Sequence, residues 1–106
     1  MGRPLDPTVD HRITLAEGAE LTSRYRKSGA ADATESGAFN AKPVLGLLGQ
    51  PGCVGVRFYR GLTAEGAPAL VLVGVDAEGN DMTDGLVLDR HLPCPPYCTD
   101  DNALNS

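Results

Sequence analysis

Tryptophan is absent, and aromatic residues make up only 5% of the 106-residue chain. They are Tyr25, Phe39, Phe58, Tyr59 and Tyr97. Hydrophobic residues reach 42%, so the core must be aliphatic, built from Leu, Val and Ala. Basic residues are also in deficit: 9 Lys and Arg stand against 14 Asp and Glu, a net charge of −5. That balance excludes polyanion binding by the whole surface, because no broad basic face can release counterions. No nucleic-acid partner is expected. The one basic cluster, Arg24, Arg26 and Lys27, falls at the end of a predicted helix, where cations complement the helix dipole.

Long apolar runs are missing too. None approaches the roughly 20 residues that a membrane-spanning helix needs. The opening "MGRPLDPTVDH" has no apolar stretch of the secretory type. Asp6 stands where a myristoylation signal needs Ser or Thr. The expectation is a cytoplasmic protein with no membrane partner. Cysteines number 3; an odd count excludes an all-disulfide framework within one chain and fits a reducing compartment. An exported protein is the alternative, should a disulfide be found. Neither P-loop nor dinucleotide glycine pattern occurs, nor HExxH, nor a serine elbow. "GLLGQPGCVG" is glycine-rich but lacks the Lys-Ser/Thr that a phosphate cradle requires.

What is present reads as one domain. Residues 1–12, with two prolines among polar residues, predict a flexible arm. "ITLAEGAELTSRYRKSG" predicts a helix: Thr14 and Glu17 form a capping box, and Gly29 ends it. Gly18 in its interior costs about 1 kcal/mol relative to Ala, so it either permits close packing or weakens the helix. "GAADATESGA" predicts a loop. "FNAKPVLGLLGQPG" predicts a second helix, with Asn40 as N-cap, Phe39 as staple and Pro43 in the first turn.

The period then changes to two. "CVGVRFYRGL" alternates, "ALVLVGV" is a nearly continuous apolar run suited to a central strand, and "MTDGLVLD" predicts a third strand. "TAEGAP" and "DAEGND" between them predict hairpin turns. The order predicts an α+β fold: two N-terminal helices packed on a three- to four-stranded antiparallel meander. Residues 13–98 form the domain, and a Cys/Pro-rich C-terminal tail closes the chain, with 99–106 beyond it. Arg57 and Arg60 on the first strand, and Asp84 and Asp89 on the third, are placed to discourage edge pairing. If the edges are used instead, the chain oligomerises by strand addition.

Four chemical readings compete for "HLPCPPYC" at residues 91–98. Cys94 and Cys98 fall within zinc-knuckle spacing; Cys53 and His91 could complete a Cys3His site. Pro95 and Pro96, however, remove amides that neutralise thiolates in knuckles. A disulfide is the second reading. Cys94–Cys98 closes a small ring worth about 2 kcal/mol, whereas Cys53–Cys98 closes a long loop worth about 4 kcal/mol. A thiol enzyme is the third, with His11 or His91 as the base that a nucleophile needs. The fourth is structural cysteines only. The acidic run Asp76, Glu78, Asn80, Asp81 and Asp84 offers hard oxygen donors, but a turn needs these residue types anyway.

The series "ITLAE", "RYR", "FN", "LLGQPGCVGVRFYRGL", "LVLVGVDAEGNDM", "CPPYC" and "NALN" resembles a group of small bacterial proteins without assigned activity. The resemblance spans about residues 12–105. It implies a soluble, self-contained bacterial protein and supplies no catalytic residues. The early "ITLA", with Cys53 followed by Gly55 and the two late cysteines, more weakly resembles A-type iron–sulfur carriers. There Cys53, Cys94 and Cys98 would bind a cluster, although those carriers have cysteines one residue apart in a glycine-rich tail.

Together these readings point to a small non-enzymatic binding or assembly module. It would carry no cofactor, and its partner would be protein, a homo-oligomer formed through a sheet edge or the Pro-rich tail. The alternative is a metal-binding protein, of zinc or less readily of iron–sulfur, using Cys53, Cys94 and Cys98, with His91. A thiol-dependent enzyme is third.

Overall fold

The computed structural model describes residues 2–28 and 36–105. The fold is α+β, with helices α1 (Leu15–Lys27) and α2 (Ala41–Leu48) and strands β1 (Ser36–Ala38), β2 (Gly55–Leu62), β3 (Pro68–Val75), β4 (Val87–Leu88) and β5 (Leu92–Cys94). All strand pairs are antiparallel. The chain's contacts fall into two units. Residues 2–7 and Phe39–His91 form the first; the described parts of 8–38 and 92–105 form the second.

The first unit is the meander β2-β3-β4 with α2 packed on β3 and β4. Its central strand is the apolar run, as its composition requires. Pairing runs from Gly55 opposite Val75 to Leu62 opposite Pro68. Opposed residues share a face, so Arg57, Tyr59, Val71 and Val73 line one side, and Val56, Phe58, Leu70 and Leu72 the other. The turn at Asp76–Asn80 follows from its sequence. The Asp76 carboxylate accepts from the amides of Glu78 (2.9 Å) and Asn80 (3.0 Å). Gly79 takes φ 85°, a left-handed conformation that a side chain would strain.

Residues 2–7, part of the arm expected to be flexible over residues 1–12, lie against this end of the sheet. A Cβ at Gly79 would run into the Arg3 backbone, and one at Gly55 would meet Leu5 Cδ1 at 2.6 Å. The opposite face at Gly74 is covered by Cys53, Gln50 and Met82. Val73, Val75 and Leu47 are the buried hydrophobics.

The third strand is shorter than the segment "MTDGLVLD" predicts. Met82 donates its amide to Gly74 O (2.8 Å), but the chain then turns, with Gly85 N bonded to Met82 O (3.1 Å). Leu86 N goes to Gln50 Oε1 (2.8 Å) instead of a strand, so only Val87 and Leu88 pair with β3. Gln50 also donates from Nε2 to Leu47 O (2.8 Å), closing the C-terminus of α2. Asn40 sits at the N-cap of α2 without a side-chain hydrogen bond. Phe39 lies beside His91, ring centroids 6.3 Å apart.

The second unit holds α1, β1 and β5. The capping box is formed: Thr14 Oγ1 accepts from Glu17 N and Glu17 Oε1 from Thr14 N, each at 3.1 Å. Its hydrogen bonds to Thr14 hold the Glu17 carboxyl below the ordinary range. Gly18 serves close packing, because a Cβ there would meet Leu104 Cδ2 at 3.2 Å. Arg26 Nη1 donates to Leu104 O (2.8 Å), holding the tail segment to the helix. The helix closes at Ser28, and the expected stop at Gly29 lies outside the described residues. Of the expected loop, residues 36–38 form β1, paired with β5 from Ser36–Cys94 to Ala38–Leu92.

Leu47→Ala should destabilise the first unit by about 2–5 kcal/mol, the usual range for emptying a fully buried leucine site. Urea unfolding followed by far-ultraviolet circular dichroism measures it.

Candidate functional site

Cys94 and Cys98 are joined as a disulfide, with Cα atoms 4.7 Å apart. β5 delivers Cys94, and the chain then folds back on itself: Tyr97 N bonds to Pro93 O (2.9 Å) and Cys98 N to Pro96 O (3.0 Å). Both the Cys94–Pro95 and Pro95–Pro96 peptides are cis. The local bridge forms although the long-loop alternative to Cys53 has the larger entropic value, because a chain reversal brings neighbours together more readily than remote segments. Cys53 is free and half-buried. Its Sγ lies 3.2 Å from Gly55 O as a weak donor. A sulfur committed to a disulfide is not a thiolate ligand, so the expected use of Cys53, Cys94, Cys98 and His91 for zinc or a cluster requires reduction first. Among the described residues, no group of three or more His, Cys, Asp or Glu is arranged to hold a metal. His91 is instead the ring neighbour of Phe39.

The polar centre of the first unit is one that sequence reasoning missed. Arg57 and Tyr59 point to one face of β2, and both reach Asp81, just past the β3 turn. Arg57 Nη1 donates to Asp81 Oδ1 at 2.5 Å and to Gly79 O at 3.3 Å. The Tyr59 hydroxyl donates to Asp81 Oδ2. Arg57 and Asp81 side chains are 35% and 20% exposed, so the pair is partly withdrawn from water. The Tyr59 hydroxyl, with the Arg57 guanidinium, holds the Asp81 carboxyl below the ordinary range. In return, the bond to Asp81 raises the Tyr59 hydroxyl and the Arg57 guanidinium above their usual values. The sequence signal was the Arg-x-Tyr alternation, which puts both side chains on one face.

The other notable surface is the outer edge of β2. Among the described residues this strand ends the sheet, with β3 on one side only. Thr63 N donates to Ala67 O (2.8 Å), continuing the β2–β3 register. Bonded pairs alternate along an antiparallel ladder, so Gly55, Arg57, Tyr59 and Gly61 turn their amides to β3. Val56, Phe58, Arg60 and Leu62 therefore turn theirs to the open edge. Their side chains are exposed as well, Phe58 at 60% and Leu62 at 75%.

Set against protein-family models, curated proteins and solved structures, the chain matches none. No described helix is long and apolar enough to cross a membrane.

Two predictions follow from the bonding. Unreduced, denatured protein should show one reactive thiol per chain, and reduced protein three; reaction with a thiol reagent counts them. The second concerns pH. Asp81 is lowered in the fold, so its stabilisation is complete above the ordinary carboxylate value of about 4 and is lost as pH falls through its lowered value. Tyr59 is raised, so its contribution is present below about pH 10 and is lost above its raised value. Asp81→Asn should lower the urea midpoint at pH 7 and flatten its fall between pH 7 and 3. An unchanged acid slope would show that Asp81 does not titrate in this bonded state.

Proposed function

We propose that this chain is a non-enzymatic assembly module that self-associates by adding a strand to the open edge of β2. The observation that carries this reading is the edge itself. Along β2 it offers alternate amides and carbonyls to a neighbour, and unsatisfied strand edges are templates for pairing. The charges expected to guard it do so weakly. Asp81 draws Arg57 onto the sheet face, leaving Arg60 as the edge cation. Val56, Phe58 and Leu62 add exposed apolar surface alongside. The Cys94–Cys98 bridge supports a working place outside the reducing cytosol, because such bridges persist in oxidising compartments.

Arg60→Pro tests the reading. Its amide faces the open edge, so proline removes no bond to β3 but blocks a neighbour. Sedimentation equilibrium should give wild-type protein a mass that rises with concentration above the 11.1 kDa of one chain. Arg60→Pro should stay at 11.1 kDa with unchanged circular dichroism. Arg60→Gln, which removes the same charge but keeps the amide, should associate as the wild type does, so the two variants together isolate the edge. Wild-type protein that remains a monomer at every concentration sinks the proposal.

A further inference from the structure

We infer that the partner at this edge is the β2 strand of a second copy, paired antiparallel about a two-fold axis through Phe58. This rests on the strand-addition reading and specifies its geometry. A two-fold axis normal to the sheet keeps the two faces in register, so residues opposite each other must have the same parity along β2. Any axis through a residue satisfies this, but axes through Val56 or Gly61 would pair only about three residues of each β2 (Gly55–Leu62), so the more central positions are compared. Centring on Arg57 or Arg60 sets each guanidinium against its own copy, and like charges directly opposed are destabilising. Centring on Tyr59 sets Arg57 against the partner's glycine at 61, where no side chain can meet it.

Centring on Phe58 avoids these conflicts. Phe58 turns its amide and carbonyl to the edge, so two copies exchange both bonds at the axis. On one face Phe58 meets its own copy, and the paired stretch ends before Leu62, because Val54 lies outside β2 and gives its amide to Val75 O (2.8 Å) on the β3 side. On the other face Arg57 opposes the partner's Tyr59. Each Arg57–Asp81–Tyr59 cluster is thereby continued across the axis, with cation against aromatic ring and both Asp81 carboxylates neutralised. Arg60 opposes the partner's Val56, so neither charge meets its like. The product is a continuous sheet made of the three strands of each copy.

Cysteine pairing reads the register directly. In a Cys53→Ser background the introduced thiols are the only free ones, since Cys94 and Cys98 are bridged. Diamide, a two-electron azo oxidant, takes two electrons and two protons from a thiol pair as the S–S bond forms. In the inferred register, the Cα atoms of Phe58 and its copy are about 5.5 Å apart, within the disulfide range of about 4.4–6.8 Å. Phe58→Cys should therefore form covalent dimers. Val56→Cys alone and Arg60→Cys alone should not, because each lies four residues, about 14 Å, from its own copy. An equimolar mixture of these two should cross-link. Sedimentation of each variant before oxidation keeps the outcomes apart. A dimer in which Arg60→Cys links alone, or in which Phe58→Cys fails to link, overturns the register but leaves strand addition standing. Monomers of every variant and of wild type overturn both.

Discussion

The β2–β3 ladder governs the first unit. Its register, Gly55 opposite Val75 through Leu62 opposite Pro68, assigns every β2 side chain to a face and every β2 amide to a direction. Arg57 and Tyr59 reach Asp81 because they share parity and because the 76–80 turn sets Asp81 beside Val75, with which it forms a bridge. Val75 is buried opposite Gly55, on the face that Leu5 covers, and Val73 is buried farther along the same face. A slip of one residue would exchange the apolar and polar sets. Two tight turns resist such a slip. Gly66 and Gly79 each take a φ of 85°, and Thr63 and Asp76 side chains each accept a backbone amide within their turn.

The second unit relies on different means. Among its described residues no large hydrophobic side chain is buried; its buried position is a glycine. What holds it is a set of polar and covalent ties: a capping box, a short strand pair, a disulfide, and a tail segment bonded to α1. Polar side chains close the tail on itself, with Asn105 Oδ1 accepting from Asn102 N and Asn102 Oδ1 from Leu104 N, both at 2.8 Å.

Local chemistry was legible in the sequence where one segment contains both partners. Thr14 and Glu17 lie within one turn, as do Asp76 and Gly79, and the central apolar strand is visible from its composition. Features that depend on remote partners were not legible. Asp81 looked like one more turn acid, because its partners Arg57 and Tyr59 lie 24 and 22 residues earlier. β1 and β5 are too short to show a period. The third strand was overread because "MTDGLVLD" alternates acceptably; nothing within it reveals that Gln50 would take the Leu86 amide. For the cysteines, spacing alone allowed zinc, clip or thiol chemistry. The choice of the Cys94–Cys98 bridge depends on the chain reversal through Pro95 and Pro96.

The two bonds of Gln50 have opposite polarity. Its nitrogen serves the last turn of α2 and its oxygen serves the segment leading to β4. Only a side chain that donates at one corner and accepts at the other fits both neighbours. A carboxylate in that place would turn an acceptor toward the Leu47 carbonyl, and an aliphatic chain would take this partner from the Leu86 amide and leave the Leu47 carbonyl only backbone donors. The joint between helix and sheet is thus keyed to hydrogen-bond direction, which an amide side chain alone meets at both corners.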